Sequence, residues 1–101
     1  MSTTYRGPSG RLSAPADPGG DSISVDALGV PDAVKLQVKL LLEAIERAGS
    51  MSEASHSCAR AEGFVLGLEK LKALRTIDIE NLYLVFESSL EHRLQALTLT
   101  R

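Results

Sequence analysis

The chain has 101 residues, 24% of them charged, with a net charge of −2. Charges of both signs alternate along it, which argues against binding a nucleic-acid backbone, since that requires a basic surface. Aromatic content is 4% with no Trp, so the core must be aliphatic, and the single cysteine, Cys58, excludes an intramolecular disulfide.

The first ten residues, "MSTTYRGPSG", carry no apolar segment of the signal-peptide type, and no apolar run approaches the length of a membrane span. With one cysteine, the expectation is a cytoplasmic protein without a membrane segment. Residues 1–22 hold three of the four prolines and four of the eight glycines. Such a segment buries too little apolar surface to offset the entropy of ordering it, so a disordered tail is expected. Its handles for a docking role are Tyr5, Arg6, Arg11 and Leu12. "ISVDALGV", residues 23–30, is a short apolar transition that either packs over the domain or adds one strand. Residues 1–29 are therefore read as tail and transition, and 30–101 as a three-helix domain.

"AVKLQVKLLLEAIERAG", residues 33–49, begins like a strand, with Val34, Leu36, Val38 and Leu40 alternating, and ends like a helix. Pro31 and Asp32 suit a helix start, and the strong helix formers that follow decide for helix. At 100° per residue, Val34, Val38, Leu41, Leu42, Ile45 and Ala48 share one face. Leu36 and Leu40 fall opposite, beside Lys39, Glu43 and Arg47. The helix is apolar on two sides, and Leu36, Leu40, Glu43 and Arg47 form the candidate protein interface.

"SMSEASHSCARAEGFVLGLEKLKALR", residues 50–75, opens with Ser50 and Glu53 at capping-box spacing. Its main stripe is Ala54, Cys58, Ala61, Phe64, Val65, Leu68 and Leu71, with the small residues first. Gly63 and Gly67 lie on a different face, where they suggest close backbone contact with another helix. "TIDIENLYLVFESSLEHRLQALTLTR" follows, with Thr76 or Asp78 as its cap. Ile79, Leu82, Tyr83, Phe86, Leu90, Leu94 and Leu97 make its stripe, and Leu84 and Val85 lie off it. The short connection predicts an antiparallel helical hairpin crossed by the first helix, with Phe86 anchored against the Val65–Leu68 region. The fold class is all-α.

Chemistry-bearing residues are few. His56 and Cys58 point about 200° apart on a helix and cannot share one ion, and a closed metal site needs four ligands. A Cys58–His92 nucleophile pair lacks a third, orienting group. Ser89 and Arg93 form a polar notch in an apolar seam, suited to a packing or partner hydrogen bond. The acidic pair Asp78 and Glu80 reads as solvated charge. Lys70, Lys72 and Arg75 are the one basic cluster, placed to complement the C-terminal turn of the second helix. No catalytic, cofactor or metal site emerges.

The segment "ARAEGFVLGLEKLKALRTIDIENLYLVFESSLEHRL" resembles, in its layout, small helical-hairpin accessory proteins of proteobacterial plasmids, integrative elements and phages. Over this C-terminal half, a helix with an Ala/Gly stripe leads through a tight turn into an acidic, Leu-rich helix. The resemblance implies a non-enzymatic regulator or inhibitor of host-defence systems. The expected function is thus a protein–protein interaction module that forms a homodimer. The alternative is a small DNA-linked regulator using Lys70, Lys72 and Arg75 against phosphate.

Overall fold

The computed structural model describes residues 24–99. The expected tail at 1–22 lies outside them. Three helices carry the described chain: α1 (Asp32–Glu46), α2 (Met51–Lys70) and α3 (Thr76–Leu99), preceded by a 3-10 turn at Val25–Ala27. No strand occurs among the described residues.

α1 begins as its sequence directs. The Pro31 carbonyl accepts from the Val34 and Lys35 amides at 3.0 Å each, and Asp32 sits in the first turn. α2 opens on the expected box. Ser50 Oγ accepts from the Glu53 amide at 3.1 Å, and Glu53 Oε1 accepts from the Gly49 amide at 2.9 Å. The carboxylate therefore reaches one residue further back than the usual box, and satisfies a donor of the α1–α2 connection.

α2 ends at Lys70 in a turn closed by two bonds. The Ala73 amide donates to the Leu68 carbonyl, and the Lys72 amide donates to that of Glu69, both at 3.0 Å. This is the Schellman pattern, which places its penultimate residue in the left-handed region, usually as Gly. Here Lys72 occupies that position with φ 54°. The chain turns away at Leu71, which is 79% exposed, and Leu74 packs on the core instead. Leu71 thus does not continue the α2 stripe.

Two pairs of contacts set the directions of the helices. Cys58 meets Phe86 and Glu69 meets Tyr83, so α2 and α3 run antiparallel, as the hairpin requires. Gly29 lies beside Arg75 and Asp78, and the Ala48 carbonyl meets Arg93, so α1 runs parallel to α3. All three helices touch one another.

The core is aliphatic around one ring. Val38, Ile45, Ala61, Val65, Leu82 and Phe86 are fully buried. α1 buries Val38, Leu41 and Ile45, with Val34 and Leu42 half-buried and Ala48 buried just beyond its end, which is the face its periodicity predicts. On α2 the small residues Ala54, Cys58 and Ala61 are buried, and this lets α3 approach its N-terminal half. Phe86 is the anchor expected, fully buried in one cluster with Val65 and with Leu68 packed against that cluster, while its carbonyl accepts from the Cys58 thiol.

Val85, read as off the stripe, is buried, and so is Ser57. Each of these helices touches two others, so each buries a wider arc than a single stripe. The segment before α1 packs over the domain, with Leu28 and Val30 in the core cluster. It adds no strand.

Candidate protein interface

The packing of α1 decides what its outer face presents. With Val38, Leu41 and Ile45 turned inward, the residues half a turn away must face outward. Leu36 is 63% and Leu40 53% exposed. Asp32 and Ala33 extend this face toward the N-terminus, and Glu43 and Arg47 extend it toward the C-terminus. Glu43 Oε2 and Arg47 Nη2 form an i,i+4 ion pair at 3.6 Å with both side chains largely in water.

The segment before α1 does not cover these leucines. It is held to a neighbouring edge instead. Lys35 Nζ donates to the Asp26 carbonyl at 3.1 Å, and Lys39 Nζ pairs with Asp26 Oδ1 at 3.1 Å. Lys35 and Lys39 lie 60–100° around the helix from Leu36, so the segment leaves both leucines open. The four predicted interface residues therefore share one accessible face.

The basic cluster is not brought together in the same way. Lys70 closes α2 and Lys72 occupies the left-handed turn position, but Arg75 belongs to the start of α3. Its guanidinium grips Asp78 through two bonds, Nε to Oδ2 at 2.8 Å and Nη2 to Oδ1 at 3.2 Å. Asp78 is buried, against the expectation of a solvated charge or a backbone cap, because the Leu28–Val30 segment passes directly over this pair. The hydrogen bonds from Arg75, reinforced by its charge, hold the Asp78 carboxyl below the usual range. The same bonds raise the Arg75 pKa still further. Arg75 is thus occupied by structure, which weakens the cluster as a phosphate-binding patch.

The remaining polar residues are placed as follows. Cys58 is buried, its thiol directed at the Phe86 carbonyl at 3.8 Å. Burial, with smaller contributions from Glu62 and Glu87, pushes its pKa up to about 11. That environment suppresses the thiolate and leaves a small core residue. His56 and His92 are exposed on different helices. Among the described residues no group of three or more His, Cys, Asp or Glu is placed to hold a metal ion. No described helix is long and apolar enough to cross a membrane.

The polar notch on α3 has a partner within the chain. Arg93 Nε donates to the Ala48 carbonyl at 2.9 Å, satisfying an acceptor just beyond the end of α1. Ser89 Oγ is buried with no hydrogen-bond partner among the described residues. Gly63 and Gly67 face open space, since a Cβ at either would meet nothing within 4 Å. The close helix contact expected of them is absent within the described chain, because they lie on the side of α2 opposite its core arc.

No protein-family model, no curated protein and no solved structure matches this chain. The class defined by its own geometry is an all-α three-helix arrangement with one helix apolar on two sides.

Proposed function

We propose that this protein is a non-enzymatic interaction module that docks through the outer face of α1 and pairs there with a second copy of itself. The observation that carries this reading is the exposure of Leu36 and Leu40, on a helix whose opposite face is already consumed by the core. The face is also self-complementary. Asp32 begins it, Arg47 ends it, and the two leucines lie between. Two copies of α1 packed antiparallel about a two-fold axis set each Arg47 near the partner copy's Asp32, with leucine against leucine.

Magnitudes limit how tight such a dimer is. Complete burial of a leucine is worth about 1.5–3 kcal/mol. At the observed exposures, burying the rest of both leucines on both copies contributes about 4–7 kcal/mol. Association costs about 4–15 kcal/mol in lost freedom. At best about 3 kcal/mol remains, so the dimer is weak and concentration-dependent, dissociating at about several millimolar. A face held that loosely is open to exchange for another protein. The layout shared with small accessory proteins of mobile elements supports a regulator or inhibitor of host-defence systems as the role.

The test is Leu36→Glu combined with Leu40→Lys. Sedimentation of the unaltered protein should show mass rising above the 10.8 kDa of one chain as concentration approaches several millimolar. The double variant should stay at one chain with unchanged helicity by circular dichroism. A single-chain mass for the unaltered protein across that range refutes self-association, and loss of helicity in the variant refutes the assignment of these leucines to the surface.

A further inference from the structure

We propose that the outer face of the α2–α3 hairpin, turned away from α1, is a docking groove for a basic amphipathic helix of a partner protein. Glu62, Leu66 and Glu69 lie within about 60° of arc on α2, and Leu84, Glu87 and Glu91 within about 60° on α3. Both arcs point away from α1. Ser57, which shares a cavity wall with Ala44 of α1, lies about 180° around α2 from Leu66. Arg93, which reaches the Ala48 carbonyl, lies about 180° around α3 from Leu84. The groove is therefore separate from the face proposed for self-association.

The two arcs meet across the seam between the helices. The Tyr83 hydroxyl donates to Glu69 Oε1 at 3.5 Å and the Cys58 thiol to the Phe86 carbonyl at 3.8 Å, a register that sets Leu66 level with Leu84. The Cys58 thiol, raised first by burial, also feels Glu62 from its own helix and Glu87 from α3, so a carboxylate of each helix stands near one point of the seam. Leu66 is 46% and Leu84 55% exposed. An apolar pair thus lies open between the carboxylates of both helices.

Charge complementarity names the occupant. None of Glu62, Glu69, Glu87 and Glu91 makes an ion pair among the described residues. Lys72 and Arg75 share a cavity wall with Glu69 at the turn end of the hairpin, but the Arg75 guanidinium is spent on Asp78. Like charges on facing helices repel one another, and a cationic partner converts that repulsion into attraction. The same field repels nucleic-acid phosphate and anionic lipid. The leucines between the carboxylates require an apolar stripe flanked by Lys or Arg. A helix presents that stripe at i, i+3/i+4 and i+7 and lays it into a groove between two others.

The experiment titrates the ¹⁵N-labelled full chain, at about 0.1 mM to keep it a single chain, with a helical peptide. The probe has about 14 residues, leucines on one face and lysines on the rest. A peptide of the same composition with Leu and Lys strictly alternating is the control. The expected result is saturating shifts of the Glu62, Leu66, Leu84 and Glu87 amides with a Kd of about 100 µM or tighter, and binding of the control at least about tenfold weaker. Leu66→Ser with Leu84→Ser should weaken binding about tenfold or more with helicity unchanged. Glu87→Gln should weaken it about two- to fivefold, whereas Glu46→Gln, the same change of charge on α1, should leave it as it was. Shifts at Leu36 and Leu40 in place of these, equal binding of the two peptides, or an effect of Glu46→Gln as large as that of Glu87→Gln, overturn the proposal.

Discussion

Phe86→Ala tests the core assignment most directly. Phe86 is fully buried, in one cluster with Ala61, Val65, Ile79 and Leu82. Removing its ring forfeits the transfer energy of the ring and leaves a void that neighbours fill only in part, for about 3–5 kcal/mol. A domain of about 75 residues has a total stability of roughly 4–11 kcal/mol, so the loss takes about a quarter of it or more. At about 4–8 °C per kcal/mol for a domain of this size, the Tm should fall by at least about 12 °C. Thermal circular dichroism at 222 nm measures it, with Leu84→Ala as the matched control. Leu84 lies two residues away on α3 but is largely exposed, so its loss should move stability by no more than about 0.5 kcal/mol. A Tm for Phe86→Ala within 2 °C or so of the unaltered protein would falsify the assignment of α3's inner face.

The helices and their inward faces were legible because they rest on period and local chemistry. Pro31–Asp32, the Ser50/Glu53 pair and the spacing of Val38, Leu41 and Ile45 each act within a turn or two of chain. What escaped involved a third element. Asp78 is buried because residues 28–30 cross above it, which no pattern inside α3 reveals. Val85 and Ser57 are covered because their helices touch two neighbours, so a single-stripe projection misplaces them. Leu71 was lost to the turn, since a Lys in the left-handed region gives no glycine signal to mark the end of α2.

The candidate interface shows the same division. That Leu36 and Leu40 lie opposite the core face follows from angle alone. Whether the preceding segment covers them depends on Asp26, which Lys35 and Lys39 hold along one edge of α1. Arg93 was legible as an interruption of an apolar seam, but its acceptor, Ala48, lies 45 residues away.

Further substitutions probe the turn, the buried acid, the thiol and the open glycines. Lys72→Gly should raise the Tm by a few degrees, because a non-glycine residue at positive φ costs about 1 kcal/mol or more, partly offset by the greater chain entropy of glycine; a lower Tm would refute the strain. Asp78 has a depressed pKa in the folded protein, so its contribution is present above the unfolded value near about 3.9 and is lost as pH falls through the folded value. Asp78→Asn should therefore lower the urea midpoint at pH 7 and flatten its decline between pH 5 and 2, and an unchanged acid limb would contradict the pairing with Arg75. Cys58 should react with a thiol reagent at pH 8 only after denaturant is added, and rapid labelling of the native protein would place it at the surface. Gly63→Ala and Gly67→Ala carry the last argument. A mid-helix glycine costs about 0.8–1 kcal/mol relative to Ala, and here a methyl group meets nothing within 4 Å. The double variant should then gain about 1.5–2 kcal/mol in the isolated chain, read as a higher urea midpoint with unchanged slope. Both substitutions lie away from the outer face of α1, so the concentration dependence of sedimentation should not change. A loss of stability would mean that another helix already approaches this face, and a loss of self-association would move the dimer interface from α1 to α2.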